Sequence, residues 1–288
     1  MKRKNYTLLL AFACAVLPAG PAWAWGPEGH HIVARIAARN LTLKARAQVA
    51  SLLVCDPDPF SVTEAMVKAS YWADTIDKKL TRTGEWHYID IALTDSRADI
   101  AKRCPKGECI TEKIPEMMLG IKTNRVVDWS VGDQLKFLIH LVGDLHQPLH
   151  CADNADRGGN CVQTHSLDSK NLHMAWDIGM VNSLGSDETV LANQIAPGAD
   201  SAWKAGSVDD WAWESHEIAM HKVYGPLAGI LPKEPPMPLT SCQMAPAAIR
   251  SAMVTLSPHY VEMNQPVVRE QLARAGIRLA SLLNSMWE

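Results

Sequence analysis

The chain has 288 residues, 47 % of them hydrophobic, which is ample for a sizeable core and excludes a disordered polymer. Its formal charge of −3 excludes a surface that gathers polyanions by bulk attraction, so any binding of nucleic acid has to be local.

The first 24 residues read as a signal peptide. Met1-Lys2-Arg3-Lys4 is a basic start, Leu8 to Leu17 is an apolar stretch too short to span a bilayer comfortably, and Ala22-Trp23-Ala24 is a small-x-small cleavage triplet. The expected mature protein is a single domain, 25–288, cut between Ala24 and Trp25 and exported to the periplasm or the outside. Losing Lys2, Arg3 and Lys4 takes its formal charge to about −6. Cys14 is lost too, leaving Cys55, Cys104, Cys109, Cys151, Cys161 and Cys242, an even set that predicts disulfides in an oxidising compartment. The closest spacings suggest Cys104 with Cys109 and Cys151 with Cys161, leaving Cys55 for Cys242.

The new terminus, Trp25-Gly26-Pro27-Glu28-Gly29-His30, carries chemistry of its own. A free α-amine has a pKa of about 8, so a neighbouring dication can displace its proton and bind the nitrogen together with the Trp25 carbonyl. A helical pattern follows over His31 to Ala38, where Ile32, Val33, Ile36 and Ala37 recur three and four apart. A turn-rich break at Cys55 to Pro59 precedes Tyr71-Trp72-Ala73-Asp74, and Trp86-His87-Tyr88-Ile89-Asp90 comes next. Both strings set metal-type side chains in apolar surroundings, where a carboxylate is costly unless a cation or donor pairs with it.

After a second break at Cys104 to Glu108, the period of Leu135, Leu138, Ile139 and Val142 predicts a helix over Val131 to Leu145. His140 and Asp144 stand four apart on it, one turn from each other on one face, where they can grip one cation. Pro148 ends that helix and leaves His150 just past its end. His146, two residues after Asp144, faces away and is set aside from the metal. Beyond the break at Asp153 to Asn160, Asn171 to Asp177 repeats the device as His173 and Asp177 on a second helix. One such pair is weak evidence, because a histidine on an apolar face is usually a satisfied core residue; two pairs of imidazole and carboxylate point to a metal such as zinc. His216 and His221, in a stretch with Trp211 and Trp213, read as packing. A last break at Pro232 to Pro238 precedes a helical pattern over Val267 to Leu283. The expected fold class is all-α, a single-domain multi-helix fold.

In this order, WGPEGH, WAD, WHYID, HLVGDLHQPLH and LHMAWD resemble the motifs of the secreted single-strand-specific zinc nucleases of the S-one/P-one type, over Trp25 to Asp177. From about Gly185 onward the likeness is one of helical character only. The resemblance implies a fold similar to zinc phospholipase C and these nucleases, and a site of three Zn2+ ions. Position by position, the first zinc would take Asp74, His87, His140 and Asp144, and the second His150, His173 and Asp177. The third would take the amine and carbonyl of Trp25, His30 and the other oxygen of Asp144. Three such ions would leave a formal surplus of about three positive charges over Asp74, Asp144 and Asp177, a cationic site in an acidic protein. Asp90 matches the carboxylate that orients the attacking water, and Tyr88 the aromatic on which a base stacks. The implied activity is hydrolysis of single-stranded DNA and RNA to 5′-phosphate products, with removal of 3′-phosphates from nucleotides, by a monomer without a membrane anchor. Where many members carry an arginine three residues after the matching aspartate, this chain has Asp77, with Lys78 and Lys79 as candidate replacements. The alternative is a zinc phospholipase C, which shares the fold and a similar His-Asp cluster.

Overall fold

The structure is a computed structural model that describes residues 25–195 and 201–288; the expected leader, 1–24, lies outside them. The chain is mainly α-helical, as its periodicity predicts. At its centre lies the helix Val131–Leu145, capped by the Ser130 hydroxyl, which accepts from Asp133 N at 3.1 Å. The helices Pro27–Arg39, Pro59–Ser70, Ile110–Lys122 and Pro258–Met286 all pack against it. Its residues from Phe137 to Leu145 are all buried, a setting that normally selects apolar side chains on every face. His140 and Asp144 therefore sit where polar groups are expensive, and something must compensate them.

The first helix starts earlier than its apolar period, because Pro27 suits the first turn and Gly26 caps it. Gly26 N donates to the main-chain oxygen of Asp177 at 2.8 Å, which ties this end of the chain to the second His-Asp segment. The C-terminal helix, read from Val267 in the sequence, runs Pro258–Met286. Ser257 caps it by accepting from Tyr260 N at 3.1 Å, and Pro266, which breaks the readable pattern, stands on the exposed face. Gly276 lets this helix meet the first one, since a Cβ there would lie 2.5 Å from Ile36 Cγ2. Strand is confined, among the described residues, to the parallel pair Gln163–Thr164 and Met253–Val254. The four predicted breaks fall on loops, with Pro59 opening a helix.

The disulfide pairing corrects the spacing argument. Cys104 and Cys109 are joined as expected, but Cys161 bonds Cys242, 81 residues away, and Cys55 and Cys151 are free. The reason is orientation: the Cys151 thiol is buried and points at the Leu145 carbonyl, 3.5 Å away, so it serves as a core side chain. Proximity in sequence carries no information about which way a Cβ points.

Candidate metal centre

Three imidazoles are oriented by the backbone. His140 Nδ1 donates to Ser70 O at 2.7 Å, His150 Nδ1 to His87 O at 2.9 Å, and His173 Nδ1 to Gly158 O at 2.6 Å. A ring that spends Nδ1–H on a carbonyl keeps Nε2 as a bare lone pair, the form a metal binds. The carbonyls come from the end of the helix Pro59–Ser70, the turn Gly84–His87 and the loop after Asp153, so several elements of the fold fix the rings jointly.

The Nε2 and carboxylate atoms then converge. His87 Nδ1 lies 2.9 Å from Asp144 Oδ2 and 3.0 Å from His140 Nε2, which is itself 3.0 Å from Asp144 Oδ2. Asp74 Oδ1 stands 3.8 Å from His87 Nδ1 and 3.7 Å from His140 Nε2. Four donors tetrahedrally placed about 2.0 to 2.1 Å from one ion are about 3.3 Å apart, and these separations bracket that value. A second group pairs His173 Nε2 with Asp177 Oδ2 at 3.2 Å and His150 Nε2 with Asp177 Oδ1 at 3.8 Å, the two rings stacked with centroids 5.1 Å apart. The helical run through Asp177 widens into a π-turn at Ala175–Gly179, a local irregularity common at functional sites.

On the far side of Asp144, His30 Nε2 lies 3.2 Å from Oδ1, with its ring stacked on His140 at 4.1 Å. Gly143 makes room for it, because a Cβ there would fall 2.8 Å from His30 Nδ1. Trp25 is fully buried and packs against Gly29, one residue before His30. Among the described residues, the metal-capable clusters are His30 with His140 and Asp144, Asp74 with His87 and His140, and His150 with His173 and Asp177.

Protein partners leave part of this donor set unsatisfied. Both ring nitrogens of His30, Asp74 Oδ2, His87 Nε2, Asp144 Oδ1 and His150 Nε2 are buried without a hydrogen bond. Buried polar atoms are nearly always paired in a native protein, so the set fits cations rather than an apolar core. The electrostatics agree. Burial opposes the charge on Asp144, but His140 outweighs it, helped by His30 and His87, and holds the carboxyl well below its ordinary range. Asp177 has no such help: burial pushes it well above the ordinary value, and the hydrogen bond from Gln147 Nε2 offsets only part of that. A cation beside Asp177 would remove the conflict.

Asp74, His87, His150 and His173 line a cleft of about 1590 Å³, which also exposes Tyr88 and Asp90. Tyr88 is 36 % exposed. Asp90 is hemmed in by protein while its carboxylate keeps contact with the water of the cleft. That enclosure, with Asp153 nearby, pushes it up to about 7, against the pull of Arg157 and Arg103. Asp74, His87, Tyr88, Asp90, His150 and His173 thus line the cleft, His30, His140, Asp144 and Asp177 cluster in the interior, and Trp25 lies buried beside Gly29. Sequence reasoning missed Gln147 and Arg157, and left the role of Lys78 open. Lys78 Nζ donates to Asp74 Oδ1 at 2.5 Å, while Asp77 caps the following turn by accepting from Leu80 N at 3.1 Å. His146 faces away from Asp144 as expected, and it lies in the interior, not on the surface.

The described residues thus form an α-helical protein that gathers buried His and Asp donors, the ligand types of a metal centre, beside a cleft. The S1/P1 Nuclease family model matches residues 25–288, and the chain belongs to that family, a nuclease acting on phosphodiester bonds. It is 29 % identical over 280 residues to Endonuclease 2 of Arabidopsis thaliana, covering 91 % of this chain and 90 % of the relative. Identity to Nuclease S1 of Aspergillus oryzae is 28 % over 313 residues, with 96 % of each chain covered. To Nuclease P1 of Penicillium citrinum it is 23 % over 276 residues, covering 91 % of this chain and 97 % of that one. These matches fall on the nuclease side, not on that of the phospholipase C alternative. Among the described residues no helix is long and apolar enough to cross a membrane.

Proposed function

We propose that the protein is an exported, zinc-dependent endonuclease that cuts single-stranded DNA and RNA to 5′-phosphate products and also removes 3′-phosphates from nucleotides. The observation that carries this reading is the convergence, at metal-ligand spacing, of buried imidazole nitrogens and carboxylate oxygens, several of them without a hydrogen bond, beside an open cleft. Imidazole with carboxylate, and no thiolate, suits zinc.

In this reading Asp74, His87, His140 and Asp144 hold one ion, and His150, His173 and Asp177 hold another. The amine and carbonyl of a freed Trp25, with His30 and the second oxygen of Asp144, hold a third. Bound zinc supplies Lewis acidity toward phosphate and lowers the pKa of water to roughly 7. Asp90 accepts a hydrogen bond from the attacking water and sets its direction toward phosphorus. Tyr88 offers its ring to an unpaired base, which can turn out of the strand as a paired one cannot. Lys78 balances charge on Asp74 at the cleft wall. In this reading the working unit is a monomer.

The test is cleavage of a single-stranded oligonucleotide and of the same sequence as a duplex, before chelation, after it, and after zinc is restored. The reading expects the single strand to be cut in preference, with activity lost on chelation and returned by zinc. Equal cutting of the duplex, or activity that survives chelation, would overturn it.

A further inference from the structure

The cations of the cleft are not equivalent. Lys78 is committed to Asp74, and Lys113 to Glu108 and Glu116. Arg82, Lys106 and Arg125 stand on the exposed rim. Arg157 is different: it is part-buried in the cleft wall, and its guanidinium forms no hydrogen bond or ion pair among the described residues.

The loop that carries Arg157 is fixed to the metal-capable floor. The carbonyl of the next residue, Gly158, accepts the Nδ1–H of His173 at 2.6 Å, and the Gly158 Cα lies so close to Leu149 that a Cβ would meet its carbonyl oxygen at 2.5 Å. Inside the loop, Asp153 Oδ1 accepts from Asp156 N at 3.0 Å and Gly158 N at 3.2 Å. Asp156 Oδ1 accepts from Gly159 N at 2.9 Å, and the Tyr224 hydroxyl donates to the same carboxylate at 3.0 Å. These bonds hold Arg157 at φ 57°, a left-handed conformation that a non-glycine residue adopts only when its surroundings impose it. An arginine held in place beside His150 and His173, with no protein acceptor for its donors, is prepared for an anion brought by something else.

We propose that Arg157 is a substrate-binding residue that grips a phosphate of the bound strand next to the metal groups. The planar guanidinium presents paired donors that match two phosphate oxygens, and the fixed backbone of its loop leaves only the side chain to be ordered in that contact. Among the described residues, which leave out the Lys79 side chain, no other free cation lines the cleft at that depth: position 77 is a capping aspartate, and Lys78 is spent on Asp74. The inference rests on the nuclease reading of the same site.

The experiment measures binding of a hydrolysis-resistant phosphorothioate single strand to the zinc-loaded protein as a function of salt, for the wild type, Arg157→Gln and Arg157→Lys. Zinc content and thermal midpoint are recorded for each. Loss of one phosphate contact should lower the slope of log affinity against log salt by about 0.7 to 1 in Arg157→Gln, while Arg157→Lys keeps the slope. A wild-type slope and affinity in Arg157→Gln would overturn the proposal. So would an equal loss in both variants, which would mark the planar ring as a surface for base stacking or as part of the loop's structure. A wild type that binds no strand at all would instead sink the nuclease reading, and the inference with it.

Discussion

His140 and His146 lie on or just past the same helix, six residues apart, and both are completely buried. Both spend Nδ1–H on a carbonyl, His140 on Ser70 and His146 on Val142 at 2.8 Å. They differ in what meets Nε2. At His146 it is Arg278 Nη1 at 2.9 Å, and that guanidinium also donates to Trp203 O and Glu214, while Gln271 Nε2 donates to His146 O at 3.0 Å. Burial and Arg278 push His146 down to about 3, so the ring is a neutral acceptor in a closed network. At His140 the neighbours are Asp74, Asp144 and His87; burial works against charge there, yet Asp144 and Asp74 outweigh it and draw the ring up. One cluster carries its own cation as a side chain and is structural. The other gathers carboxylates and imidazoles around room for a cation, and that difference distinguishes a site from a core.

The contrast can be broken experimentally, and the largest effect belongs to Asp144. Asp144→Ala removes the carboxylate between two metal groups; metal content should fall and strand cleavage should drop to background, measured by elemental analysis and a gel assay. Asp90→Asn keeps every metal donor and loses only the acceptor facing the cleft. It should lower kcat by about 10²- to 10⁴-fold with metal content unchanged. Gln147→Leu leaves Asp177 without its hydrogen bond, and metal affinity at that group should weaken by about 10- to 100-fold in competition with a chelator. On the structural side, Arg278→Met leaves His146 Nε2 and Trp203 O without a donor. It should cost about 3 kcal/mol of unfolding free energy while the folded fraction keeps its specific activity. A fall in activity per folded molecule there would show that the two clusters are not separate.

Much of this was legible in the sequence because the site is built from short-range spacings. His140 with Asp144, and His173 with Asp177, are one helical turn apart, and a single turn fixes both directions. The central helix was readable over Val131 to Leu145 from its apolar period, with Pro148 marking its end. What escaped reading depends on how distant segments meet. Gln147 reaches Asp177 across 30 residues, and Arg157 becomes special only because its guanidinium has no hydrogen bond or ion pair among the described residues. The Cys161–Cys242 bond closes between two loops, and the C-terminal helix begins before its apolar period because Pro266 interrupts the pattern without interrupting the helix. Spacing from Asp144 separates His146 from His140 in the sequence, but only Arg278, 132 residues later, shows what the His146 ring does instead.

The central claim is that the cluster includes the freed amine of Trp25, a buried residue five positions before His30. The direct test is to prepare the protein with Trp25 as its first residue, beside a form with one extra residue ahead of it, and to count zinc and measure strand cleavage in both. The account predicts three zinc ions and activity in the first, and loss of zinc and activity in the second. Equal zinc in both forms, with equal cleavage or none, would contradict it.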